Sequence, residues 1–389
     1  MANDAAHKIA DAAARHCLDA GLGSVTMRSV AAAAGVAPSA VAYHFKTRDR
    51  LLVAILDRLS FGIQAWRDGA RDQLATAAAQ SLGHGAMAAV ALSGFIHMQG
   101  LASVTAREVA RALRTTESAD AAAGIVAQIH QQGRLFWQSL PVFAGDDAET
   151  RAIWAGVIEG LVPLAMLDRN PITRHGRIIQ ILMRLEDRLA GRAPRPFDDA
   201  PLPPAQDRPS RPTGKQEIVE ATIRLSGRVG IEGLTHRNIA AEAGLSVAST
   251  TYFYPAKEDI IADAAHELQT RAINAIVSGD SPLPQFMSRI ALDLEGGERA
   301  ELAALTAFST AAVRHGELRE LADTFLKLRG IDALRWLDAR GCSGVDRLDG
   351  IIWSAASTAL VDQALQRPQD QRVAFLDAIS STWMHRLFG

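Results

Sequence analysis

The chain has 389 residues, with 41 Lys+Arg against 43 Asp+Glu and a formal net charge of −2 at pH 7. Its 48% hydrophobic and 22% charged composition excludes a disordered or collagen-like chain, and the balanced charge excludes a generally basic nucleic-acid coat while leaving room for a local basic patch. Two cysteines, Cys17 and Cys342, are too few for a disulfide framework or a cysteine-based metal site, which points to a reducing compartment.

The first residues lack the basic-then-apolar order of a secretory signal, so a cytoplasmic location is expected. The stretch 81–106, free of Asp, Glu, Lys and Arg, contains Gly83, His84, Ser93, His97 and Gln99. That is too polar for a membrane span and reads as a buried helix. Seven of the 15 prolines (Pro194, Pro196, Pro201, Pro203, Pro204, Pro209 and Pro212) fall between Gly191 and Gly214. Proline blocks helix and central strand, so residues 191–214 are expected to form a semi-rigid, extended linker. Both flanks are rich in Ala and Leu at helical spacing and nearly lack period-2 alternation, which predicts an all-α protein.

An internal repeat organises the chain. A shift of 209 places Ile9 on Ile218, Thr26 on Thr235, Arg28 on Arg237, Gly35 on Gly244 and Tyr43 on Tyr252. Near the other end of each half, a shift of 199 places Ile153-Trp154 on Ile352-Trp353 and Leu161-Val162 on Leu360-Val361. The second half is therefore about ten residues shorter.

Each half opens with three short helices leading into a fourth. The first carries Ile9, Ala13, Cys17 and Ala20, or Ile218, Ala221, Leu225 and Val229, on one face. Gly21 or Gly230 is expected to close it with a left-handed cap. Thr26 and Thr235 are good N-caps for a second helix that ends at Gly35 or Gly244. Ser246 can cap the third helix, whereas in the first copy Ala37 cannot and Pro38 at the first helical position partly compensates. Helix, glycine turn, apolar plug and short helix is the helix-turn-helix pattern. All three tyrosines of the chain, Tyr43, Tyr252 and Tyr254, lie in the two short helices or at their ends.

Thr-Met-Arg-Ser-Val-Ala-Ala-Ala-Ala-Gly-Val (26–36) with Tyr-His-Phe (43–45), and Thr-His-Arg-Asn-Ile-Ala-Ala-Glu-Ala-Gly-Leu (235–245) with Tyr-Phe-Tyr (252–254), resemble the DNA-binding domain of tetracycline-repressor (TetR) family regulators. The resemblance covers about 50 residues at the start of each half, and the helical remainder matches the family only in length and helix content. It implies an all-α pair of TetR-like units, each an N-terminal three-helix helix-turn-helix domain plus a helical ligand-binding and dimerisation domain. Members of the family pair as homodimers; here the two units would form a pseudo-dimer within one chain. The implied domains are 1–55 (first helix-turn-helix), 56–190 (first helical domain), 191–214 (linker), 215–264 (second helix-turn-helix) and 265–389 (second helical domain).

The resemblance also implies roles. Thr26 and Thr235 would meet phosphate at a helix start, and Arg28 and Arg237 would point toward the groove edge. Ser39, Ala40, Tyr43 and His44 would form the first reading face, and Ala248, Ser249, Tyr252 and Phe253 the second. Arg48 and Lys257 match a phosphate-contacting lysine, while Phe45 and Tyr254 would pack inside. Residues 1–55 carry six Lys/Arg against four Asp, and residues 213–262 five against six acids, so the second head should bind more weakly. Arg208, Arg211 and Lys215 could serve it as a basic arm.

The closing helices, about 150–167 with 171–189 and 348–366 with 372–387, are expected to form the interface between halves. Trp66, Phe95, His97, Met98, Phe136 and Trp137 are candidates for lining an effector pocket in the first half, with Phe286, Met287, Phe308 and Trp336 in the second. No phosphate loop, dinucleotide fingerprint or zinc-spaced His/Cys set is present, so no enzyme activity, cofactor or metal is expected. The expected partners are double-stranded DNA and a small-molecule effector, with no membrane; the chain would be a regulator, most simply a repressor. An architectural protein with one degenerate head is the alternative.

Overall fold

A computed structural model describes residues 2–78, 82–114, 116–197, 201–278 and 298–389, and among them it contains helices and turns but no strand. In the first head α1 (Ala2–Ala20) buries Ile9, Ala13 and Cys17 along one face, the spacing that helical periodicity demands. It stops at Gly21, whose φ of 78° and ψ of 166° differ from the expected left-handed helical cap. Gly230 repeats the conformation at φ 72° and ψ 168°. This region is essentially closed to residues with a Cβ, and it redirects the chain into the turn before the next helix. Helices α2 (Met27–Ala34) and α3 (Pro38–Phe45) complete the head. Helix α4 (Arg48–Ala78) then runs from the head into the body, so a boundary at residue 55 falls inside a continuous helix.

The first body consists of α5 (His84–Leu113), α6 (Ala119–Gln138), α7 (Ala148–Leu167) and α8 (Pro171–Leu189). The second half repeats the head as α9 (Thr213–Val229), α10 (His236–Ala243), α11 (Val247–Phe253) and α12 (Lys257–Ser278). Its body contains α13 (Glu298–Arg314), α14 (Arg319–Leu328), α15 (Ile331–Ala339), α16 (Arg347–Leu365) and α17 (Arg372–Phe388). Both α5 and α7 are long and apolar enough to cross a membrane by length and composition, but 50% of the α5 window and 78% of the α7 window are buried inside the fold.

The first head has its own core, in which Ile9, Cys17, Val30, Val41, Leu51 and Ile55 pack with Val109 and Leu113 at the end of α5. The core of the second head instead runs into the bodies: Ile218, Ile239, Tyr254 and Ile260 are continuous with Trp154, Phe308 and Trp353. Gly227 of α9 lies against Ala303 of α13 without room for a side chain.

The halves meet where α7 crosses α16. Gly156 faces Ala359, and Gly160 presses on the Ala355 backbone so closely that a Cβ there would overlap its carbonyl oxygen. Beside this crossing, Arg184 and Arg188 of α8 reach Asp346 and Asp349 at the start of α16. Arg386 of α17 reaches Asp147 and Thr150 at the start of α7. Arg107 of α5 pairs with Asp362 of α16.

Among the described residues, 192–197 and 201–212 form no helix or strand, and they are strapped to the body rather than standing free. The Arg195 carbonyl accepts from Arg184, Phe197 N–H donates to Asp346, and Gln206 exchanges two hydrogen bonds with Asn274.

Candidate nucleic-acid interface

Each head builds its reading helix on a local scaffold that the side chains largely define. Thr26 caps α2: its Oγ1 accepts from Ser29 N–H at 3.0 Å, and Ser29 Oγ accepts from Thr26 N–H at 2.9 Å. Thr235 does the same with Asn238, at 3.2 and 2.7 Å. These capping boxes spend the threonine hydroxyls on the helix. The backbone N–H groups of Met27 and Arg28, or His236 and Arg237, remain to face an anion. Gly35 and Gly244 close the helices in the left-handed conformation, φ 66° and 69°. The chain is then set for α3, which starts at Pro38 with no side-chain cap, and for α11, which Ser246 caps through Ser249 N–H.

Tyr43 is 77% exposed and Tyr252 is 82% exposed. An aromatic side chain at equivalent positions on two short helices thus stands in solvent with little packing to account for it. Ser39, Ala248, Thr26, Arg28, Thr235 and Arg237 are exposed; Ala40, His44, Ser249 and Lys257 are partly buried. The ring of His44 lies edge-on to Tyr43 at 5.2 Å. Phe45 and Tyr254 are buried, and Tyr254 Oη donates to Asp263 at 2.6 Å.

Three expected contacts are placed otherwise. Phe253 is half-buried against Gly214 of α9, so it packs the head instead of facing outward. Arg48 donates through Nε to the Val25 carbonyl at 3.0 Å and through Nη2 to the Leu22 carbonyl at 3.1 Å. Its guanidinium braces the turn before α2, while the residue as a whole stays exposed. Two of the three basic-arm residues are likewise engaged, while Arg208 is exposed: Arg211 is buried against Asp263 and Glu267 at 2.6 Å each, and Lys215 sits 3.6 Å from Asp263 and over the Tyr254 ring.

One residue escaped the sequence reading. Lys46, at the end of α3, is exposed and held at φ 55°, the sole non-glycine with positive φ among the described residues. The signal was a cation directly after the aromatic triplet; its counterpart, Pro255, carries no charge.

The heads therefore differ in available charge. Arg224 and Arg228 both pair with Glu242, and Arg271 pairs with Glu220 and Glu267. Among the described residues the first head has one such pair, Asp11 with Arg58 just beyond it.

The equivalent turns of the two heads also touch. Gly21 and Gly23 lie against Glu232 and Gly233, leaving no room for a Cβ. Above them, Arg314 of α13 donates to the Leu18 carbonyl of the first head and to Thr105 and Glu108 of α5. His315 bonds Glu232 at 3.2 Å and lies 3.4 Å from Glu317. The hydrogen bond to Glu232 raises the His315 pKa against the opposing effect of burial. Burial pushes Glu232 up, but the His315 bond, a backbone hydrogen bond and the charges of Arg314 and His315 together outweigh it and hold the carboxyl below its usual range. A raised histidine contributes stability in full below its unfolded pKa of about 6.5 and loses it as pH rises through the folded value. Thermal unfolding at about pH 6 and about pH 8 should therefore show a drop in stability that His315→Gln reduces. An unchanged drop in the variant would contradict this assignment.

These heads define a helix-turn-helix DNA-binding protein. Residues 9–55 and 218–264 each match the family of bacterial regulatory proteins of the tetR type. No curated protein matches the chain. The chain thus carries two tetR-type DNA-binding domains in tandem, which supports a TetR-family DNA-binding transcriptional regulator with two units.

Proposed function

We propose that the chain is a one-polypeptide counterpart of a TetR dimer, a repressor that reads two unequal half-sites and is released by a small-molecule effector. The units are taken as 1–55 with 56–190, and 215–264 with 265–389, joined by the linker 191–214. The observation that carries the pseudo-dimer is reciprocity. Under the 199-residue shift Gly156 corresponds to Ala355 and Gly160 to Ala359, yet the contacts are Gly156 with Ala359 and Gly160 with Ala355. Asp147 and Thr150 correspond to Asp346 and Asp349, and each pair is gripped by arginine from the other half. Exchanged partners of this kind are the mark of a two-fold, self-complementary interface.

Such an arrangement presents α3 and α11 to successive major grooves, about 34–36 Å apart along one face of the duplex. In this reading Tyr43, Ser39, Ala40 and His44 meet the first half-site and Tyr252, Ala248 and Ser249 the second. Arg28, Lys46, Arg237, Lys257 and the two helix starts at Thr26 and Thr235 hold phosphate. Internal pairing of second-head cations supports a weaker second contact, and thus an operator with unequal halves. The helical bodies would hold the effector. Phe95, Phe136 and Trp137 are buried and Trp66 half-buried in one edge-to-face cluster, with ring centroids 4.8–5.7 Å apart. Met98 is 60% exposed and His97 is exposed as well, so neither belongs to it. In the second half Phe308 is buried and Trp336 stacks on Trp353, while Phe286 and Met287 lie outside the described residues.

Selection of bound DNA by the full chain, followed by mobility shifts, tests the reading. Tyr43→Ala should weaken binding by about 1–3 kcal/mol, and Tyr252→Ala by less. Equal sensitivity on a perfect palindrome would overturn the asymmetric operator, and absence of any selected sequence would overturn the regulator reading itself.

A further inference from the structure

Beside the aromatic cluster of the first body lies a group of charges with no role in the heads. Arg67 of α4 is 4% exposed; its Nη1 donates to the Ile129 carbonyl at 3.2 Å, and its Nε is buried with no partner. Arg134 of α6 has a buried Nη1 that also has no partner. Glu159 of α7 is 8% exposed and shares with Arg67 the space left by Gly133, where an added Cβ would sit 2.7 Å from Arg67 Nη2 and overlap Glu159 Oε1. Arg107, Arg111 and His130 stand nearby, and the second half contributes Asp362, paired with Arg107.

Four guanidinium groups thus gather around Glu159 and Asp362, with Asp68 also acting on Arg67 and Glu108 on Arg111, and burial weakens the anionic side. It pushes Glu159 up to about 7, so this carboxyl is only partly charged near neutrality. It also pushes His130 down to about 4, leaving the imidazole neutral. An uncompensated buried charge is costly, and guanidinium donors without acceptors add to that cost. The core therefore holds buried guanidinium donors without acceptors beside a carboxyl that is only partly charged. The other half has no counterpart: the repeat places Ile276 opposite Arg67 and Thr358 opposite Glu159. Packing needs alone would not put arginines in one copy of a repeat and apolar or neutral residues in the other.

We infer that this arginine-lined core binds a small organic anion, a molecule with an oxyanion headgroup on the open donors of Arg67 and Arg134 and an apolar part against Trp66 and Phe136. The planar guanidinium fork matches both carboxylate and phosphate oxygens. The inference rests on the effector reading above and names the chemical class of that effector. It also supplies a route to the heads. An anion drawn to Arg107 competes with Asp362, so occupancy weakens an ion pair that joins the two halves.

The test uses the full chain with phenylacetate and with inorganic phosphate, each compared with chloride at equal ionic strength. Both should raise Tm saturably by a few degrees in the native protein, and Arg67→Met should abolish that increment. Arg134→Gln serves as a second variant if Arg67→Met does not fold, and should reduce the increment several-fold. An increment of equal size in the variants would be a general salt effect and would overturn the site, as would no increment at all. Mobility shifts run in parallel separate the two claims. Anion-dependent stabilisation without release of DNA would keep the site and remove the effector role. Release of DNA by other metabolites, without any anion increment, would keep the effector role and remove the site.

Discussion

Gly160→Val should lower the stability of the chain by about 3 kcal/mol or more, a large loss for an exchange of one small side chain. At this crossing the α7 backbone rests directly on α16: a Cβ at Gly160 would lie 2.9 Å from the Ala355 Cα and overlap its carbonyl oxygen. Neither contacting group is a flexible side chain, so the helices must separate to admit the new atoms. Separation also strips contacts from Ile153, Trp154, Ile352 and Trp353, which are buried beside the crossing. Overpacking a rigid core usually costs about 1–3 kcal/mol, and a β-branched residue against backbone belongs at or above the upper end. Gly176 on α8 is the control, because nothing lies within 4 Å of its added Cβ. Gly176→Ala should be neutral or gain up to about 1 kcal/mol from helix propensity. Urea unfolding of both variants makes the comparison, and a loss below about 1 kcal/mol for Gly160→Val would show that the halves do not pack here. Under the proposed function the same variant should also weaken DNA binding, since the spacing of the heads would depend on how closely the bodies approach.

The repeat, the capping residues and the helix-turn-helix units were legible because they are local. Thr26, Thr235, Gly35 and Gly244 act within four residues of their own backbone, and no distant contact can reassign them. The crossing itself left a trace: two glycines four apart in an apolar helix, Gly156 and Gly160, fall on Ala355 and Ala359 under the shift. Each helical glycine costs about 1 kcal/mol against alanine, and a close approach explains its retention. What depends on tertiary neighbours was not legible. Arg48 was read as a phosphate contact because a cation at a helix start looks solvated, yet two of its donors hold the turn before α2. Phe253 and Tyr252 are adjacent, and only the packing of α11 on α9 decides which one turns outward. Phe95 and Met98 share a helical face by spacing, but that face leaves the core before Met98. Arg67, Arg107 and Arg134 are far apart in sequence and each alone reads as surface.

The second large effect is expected at Asp349. This carboxylate is fully buried and accepts from Arg184 Nη1 at 2.8 Å, from Arg188 Nε and Nη2 at 2.9 and 2.8 Å, and from Asp346 N–H at 2.9 Å. Asp349→Ala would leave Arg184, whose side chain is 3% exposed, with only the partly exposed Asp346 and the Arg195 carbonyl. Breaking a buried pair from one side typically costs about 3–5 kcal/mol, because the remaining charge stays out of water. The mirrored contact should behave differently. Arg386 and Asp147 are 44% and 57% exposed, so Arg386→Ala should change stability by less than about 1 kcal/mol. Measuring both variants by denaturant unfolding tests whether the two ends of the pseudo-symmetric interface are unequal in strength. The double variant Arg184→Met with Asp349→Leu should recover part of the loss, since removing both charges removes the desolvation cost that makes the single change severe. Similar losses for Asp349→Ala and Arg386→Ala would overturn this account. A large difference would show that the Arg184–Asp349 contact carries more of the stability between the halves than Arg386–Asp147 does.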